Sequence, residues 1–185
     1  MTVWILVRTL DLDESVTFMP SSAHPSQRMR LFEQPFRRGV GFGLFGGIAG
    51  TILMDFVIVI TFLIAGQPGD TFFALVGEKL GQGPAIGIAL HNLVGLTVGF
   101  IFAILILNVK ALNIDTKRKG LILGVLAGAV TIPGGCIPLA IWLGEPILGV
   151  VAFSTVPHLV YGTVLGSVVA YGLLSDIHLR SGSQP

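Results

Sequence analysis

The sequence predicts an all-α membrane protein of four transmembrane helices, arranged as two hairpins of parallel relation with a kink in the third helix. Three observations predict it. Four long apolar stretches run at Val40–Ala65, Pro84–Leu107, Gly120–Leu143 and Val150–Leu174. Only 11% of the 185 residues are charged, and mean hydropathy is +0.86. Glycine is abundant, at 25 residues, in stretches that are otherwise helix-like. A soluble domain carries about 25% charged residues, so this chain has too little charge to clothe four helices in water. Glycine is costly in soluble helices but common in membrane helices, where it lets backbones approach.

Each stretch reaches the ~20 residues that cross a hydrocarbon core of ~30 Å. The flanks set the orientation. Arg28, Arg30, Arg37 and Arg38 precede the first stretch, Lys110, Lys117, Arg118 and Lys119 lie between the second and third, and Arg180 follows the fourth. The connections Gly66–Gly83 and Gly144–Gly149 offer only Lys79, against Asp70, Glu78 and Glu145. Positive charge marks the cytoplasmic side. The expectation is a multi-pass protein of the cytoplasmic membrane with both termini inside.

The organisation expected is a cytoplasmic segment over 1–38, a transmembrane domain over 39–175 and a cytoplasmic tail over 176–185. Val3–Val7 is too short for the apolar core of a secretory signal, and Asp11, Asp13 and Glu14 follow it. Ser15–Gln27 has the composition of a disordered linker, and Met29 is an alternative start of translation that an intact mass would test. In the first outer connection, Asp70 is placed to cap a helix. The residues Asp70–Leu80 read either as a short interfacial helix or as a loop packed over the end of the bundle.

Net charge of +1 and sparse fixed cations exclude a phosphate-tracking groove, so no nucleic acid is expected as partner. A single cysteine, Cys136, excludes an internal disulfide. Gly41-Phe42-Gly43-Leu44-Phe45-Gly46 fits G-x-G-x-x-G formally but lies inside a membrane stretch with no strand before it. No Walker lysine motif, G-x-S-x-G, H-E-x-x-H or C-x-x-C is present, and no nucleophile–base pair is readable, so an enzyme is not the expectation.

The second and fourth stretches share H-x-x-x-G-x-x-x-G. Adding 67 to residue number carries His91, Gly95 and Gly99 onto His158, Gly162 and Gly166. Adding 78 carries Gly46 and Gly50 onto Gly124 and Gly128. Two hairpins that enter the membrane in the same direction form a parallel duplication, with its axis along the membrane normal. Gly43, Gly47, Gly50, Gly95, Gly99, Gly124, Gly128, Gly162 and Gly166 are the expected helix-packing positions.

Ionisable side chains inside a span are costly and face the bundle interior. Asp55 lies about 15 Å from the outer end of its stretch, at ~1.5 Å rise per residue, and His91, His158 and Cys136 lie about 10–12 Å in. Asn92, Thr155, Tyr161 and Met54 fall in the same outer layer. Pro133-Gly134-Gly135-Cys136-Ile137-Pro138 breaks the third stretch there, because proline removes a ladder hydrogen bond. Backbone unwound at that depth could offer carbonyls to a cation.

Four chemistries fit such a layer. One is a hydrogen-bonded structural cluster in which Asp55 accepts from a histidine. A second is a metal ion, zinc or copper, on Asp55, His91 and His158 with Met54 or Cys136 as softer ligands. A third is haem between His91 and His158. The fourth is a proton or ion path through Asp55 and the histidines. Beside a ligand- or ion-handling role stands that of an accessory subunit of a larger membrane complex, with the lipid bilayer, other membrane subunits or further copies of the chain as partners.

The motifs Ala49-Gly50-Thr51…Met54-Asp55, Gly87…His91…Gly95…Gly99 and Pro157-His158-Leu159-Val160-Tyr161-Gly162…Leu165-Gly166 resemble those of a family of small, glycine-rich, four-helix membrane proteins found mainly in archaea. The resemblance covers Gly39–Leu174. That family has no established activity, so the resemblance implies a fold and a shared polar layer rather than a function.

Overall fold

In a computed structural model, residues 25–181 are described, with side chains over 36–175. Of the expected linker Ser15–Gln27 and tail 176–185, residues 15–24 and 182–185 lie outside the described residues, and the remainder of both is helical instead. Six α-helices follow in order: α1 Pro25–Ile64, α2 Thr71–Glu78, α3 Pro84–Asn108, α4 Lys117–Thr131, α5 Ile137–Leu143 and α6 Ile147–Ser181. A short 3₁₀ turn, Lys110–Leu112, follows α3, and a π-helical turn, Ile132–Cys136, joins α4 to α5. No strand occurs among the described residues.

Four helices are long and apolar enough to cross a membrane: Phe36–Ile64, Pro84–Asn108, Lys117–Leu143 and Ile147–Ser175. They coincide with the four stretches read from hydropathy. The first helix starts earlier than expected, because the residues from Pro25 continue it without a break. Its exposed face carries Phe45, Ile52 and Phe56, as suits a helix whose surroundings are apolar.

Close packing follows the glycines. α1 packs against α3 and α6, and α6 also packs against α4, so α1 and α6 are central and α3 and α4 flank them. A methyl group added at Gly43 would strike Ala103 and the Gly99 carbonyl, and one at Gly47 would strike the Gly95 carbonyl. In the other pair, one at Gly120 would strike Ala170, and one at Gly124 the Gly162 carbonyl. Such backbone contact is what small residues at helix crossings permit, through dispersion and weak C–H bonds.

The two crossings correspond, with a correction to their register. Adding 77, not 78, carries Gly43 and Gly47 onto Gly120 and Gly124, while 67 still carries Gly95, Gly99 and Ala103 onto Gly162, Gly166 and Ala170. The neighbouring Gly46 and Gly47 made both offsets readable. Gly46 faces α6 instead, at Leu165 and Val168, and Gly50 faces Tyr161. In the packing register Thr51 stands where the other pair has Gly128, and Asp55 where it has Ile132.

The Pro-Gly-rich segment is not unwound. The helix widens into the π turn over Ile132–Cys136 and resumes as α5. Pro133 and Pro138 supply no backbone donor, and a wider turn accommodates the loss without ending the helix. Gly144 closes α5 in the left-handed conformation, φ 80°.

The first connection is settled as a helix over the end of the bundle. α2 packs on α3 with Phe73 and Val76 buried, and Gly87 leaves room for the backbone of Phe73. Asp70 stands at the N-cap position without a side-chain capping bond.

Candidate functional site

The polar residues of the expected layer divide into two groups. On the first, Asp55 of α1 meets α3. His91 Nδ1 lies 2.5 Å from Asp55 Oδ1, and Asn92 Nδ2 donates to Asp55 Oδ2 at 2.9 Å and to the Ile88 carbonyl at 3.0 Å. Consecutive residues reach one carboxylate because Asp55 sits at the edge of the α1–α3 crossing that Gly47 and Gly95 hold tight. Phe72 and Phe73 of α2 pack edge-on against the His91 ring, with centroids 5.4 and 5.8 Å away. They shield the Asp55–His91 pair on the α2 side, which strengthens its electrostatics.

The second group belongs to α6 and the π turn. His158 Nδ1 donates to the Ser154 carbonyl at 2.8 Å, which fixes the tautomer and leaves Nε2 as acceptor. The Cys136 thiol lies 3.6 Å from that Nε2. Cys136 is only 3% exposed. The asymmetry follows from residue type: His91 faces Asp55, whereas residues 117–143 hold no Asp or Glu and the position matching Asp55 near His158 is Ile132. His158 therefore takes a backbone carbonyl and a thiol in place of a carboxylate.

Tyr161 joins the halves. Its hydroxyl, buried beside Gly50, donates to the Gly95 carbonyl at 2.7 Å. Thr155 takes no part in the site, since its hydroxyl bonds to Val151 of its own helix.

Between the groups lies a cavity of about 240 Å³. His91 and Leu90 of α3, Met54 and Ile58 of α1, and Phe72 and Val76 of α2 line one part, with Gly135, Cys136, Ser154 and His158 opposite. A smaller space of about 40 Å³ continues from it past Thr51, Thr131 and Tyr161, sharing Met54, His91, Val94 and His158. Val94, which lines both spaces, is 59% exposed.

The metal and haem readings fare poorly in this geometry. Among the described residues, no three His, Cys, Asp or Glu side chains are grouped as a shared metal ion requires. Asp55 and His91 face each other, and His158 is occupied by Ser154 and Cys136. A cavity of about 150 Å³ holds one benzene ring, so about 240 Å³ suits a single substituted ring and not a four-ring macrocycle.

Sequence reasoning missed the Cys136–His158 contact, the role of Ser154 and the cavity itself. No residue type signals the His158–Ser154 bond, because its acceptor is a backbone carbonyl that any residue at 154 supplies. The direction of Cys136 is not readable either, because the π turn sets where it points. No family model, no curated protein and no solved structure matches the chain.

Proposed function

We propose that the chain is a multi-pass protein of the cytoplasmic membrane, both ends cytoplasmic, that binds a small molecule in the cavity between His91 and His158. The observation that carries this reading is the pairing of two polar groups on opposite walls of one largely apolar cavity of about 240 Å³. Binding sites for small molecules have this build: apolar walls with a few fixed polar groups. A purely structural cluster would need no such space beside it. The four spanning helices are consistent with the membrane setting, and the cationic flanks support the orientation. The matched crossings support a duplicated hairpin, and the quoted motifs support kinship with the archaeal four-helix family.

Mass spectrometry of solvent extracts from gently purified protein tests the reading. Wild-type protein is expected to carry about one small molecule per chain, and Gly135→Leu to lose it. That substitution suits the purpose because a Cβ at Gly135 meets nothing within 4 Å and the residue lines the cavity. Identical extracts from both proteins would overturn the proposal. A stoichiometric partner protein with no small molecule would favour the accessory-subunit role instead.

A further inference from the structure

The protonation of the Asp55–His91 pair constrains what the cavity takes. The pair lies at membrane depth, 16% and 17% exposed, with no cation among the residues that line the cavity. An uncompensated charge there is strongly disfavoured. Two arrangements make the pair neutral overall. In one, a carboxylate faces an imidazolium. In the other, a carboxylic acid donates its O–H to Nδ1 of a neutral imidazole. Both place a proton on His91 Nε2. Asn92 suits either, since it donates to the second carboxyl oxygen.

That Nε2–H has no protein acceptor among the described residues; the hydrogen bond His91 makes runs from Nδ1. The opposite wall is already satisfied, because His158 uses Nδ1 on the Ser154 carbonyl and Nε2 on Cys136, and the Ser154 side chain hydrogen-bonds to the Cys136 thiol. The cavity thus presents one unused donor in apolar surroundings that include Phe72 and Phe153. Resting on the small-molecule reading above, we infer that the ligand is a lipophilic molecule of single-ring size whose carbonyl oxygen accepts from His91 Nε2–H. It enters from the bilayer past Val94.

The test uses two fluorinated probes of nearly equal shape in nanodiscs, 4-(trifluoromethyl)acetophenone and 1-isopropyl-4-(trifluoromethyl)benzene. Fluorine NMR separates bound probe from lipid-dissolved probe, with empty nanodiscs as reference. The ketone is expected to bind about tenfold more tightly, the worth of one hydrogen bond. Asp55→Asn should keep that preference: its carbonyl accepts from Asn92 and its NH₂ donates to His91 Nδ1, which holds the proton on Nε2. Asp55→Asn combined with His91→Phe should bind both probes without preference, and Gly135→Leu should bind neither. Equal affinity in the wild type, or loss of preference in Asp55→Asn, would overturn the carbonyl assignment while leaving the cavity reading intact. Failure of the wild type to bind either probe would overturn both.

Discussion

Tyr161 of α6 donates its hydroxyl to the Gly95 carbonyl of α3 at 2.7 Å, alongside Gly50 of α1. One side chain thereby ties three helices at the level of the cavity. Tyr161→Phe keeps the ring against Gly50 and removes only the bond. A loss of about 1 kcal/mol is expected, measured by unfolding in detergent. A Tyr161→Phe protein as stable as the wild type would show that the link carries no net energy.

The glycine crossings are expected to be intolerant, and selectively so. Gly47→Leu and Gly124→Leu each force a side chain into backbone of the facing helix and should cost about 3 kcal/mol. Gly41 is the control, because a Cβ there meets nothing within 4 Å. Gly41→Ala should be neutral or stabilising by up to about 1 kcal/mol. Comparison of thermal midpoints of the three variants checks the pattern.

The histidines should not behave alike, although the sequence presents them as equivalents. His91→Ala strands the Asp55 carboxyl and should cost about 3 kcal/mol. His158→Ala loses a carbonyl bond and a thiol contact and should cost about 1 kcal/mol. Asp55→Ala with His91→Ala should cost less than the two single changes summed, because neither partner is left behind. Additive losses in that double-mutant cycle would count against a coupled pair.

Phe73 pins α2 to the bundle. Phe73→Ala removes a ring that is 2% exposed and should cost about 3–5 kcal/mol of local packing. The connection between Gly66 and Gly83 should then become more sensitive to added protease. Unchanged resistance would mean that Phe72 and Val76 suffice to hold α2.

The sequence was most legible where hydropathy alone decides. The four spans, the common depth of Asp55, His91, His158 and Cys136, and the use of Gly43, Gly47, Gly95 and Gly99 as packing positions all follow from composition and spacing. What stayed hidden depends on rotation about a helix axis. Gly46 and Gly47 are adjacent, so only three-dimensional packing assigns Gly47 to α3 and Gly46 to α6. Cys136 follows a turn of non-α pitch, which rotates every later residue and cannot be read from periodicity. The unequal environments of His91 and His158 follow from the lack of any acidic counterpart to Asp55 over residues 117–143, which the sequence shows, and from the π turn, which it does not.

The π turn has a consequence for the chain's tolerance of length change. Ile132–Cys136 holds one residue more than an α-helical path over the same rise requires. Deleting a residue there would return the segment to ordinary pitch and swing Cys136 away from His158, with the four spans still intact. Insertions and deletions elsewhere in a spanning helix shift everything beyond them; here the surplus residue acts as slack, so that geometry at the cavity can be retuned without rebuilding the protein around it.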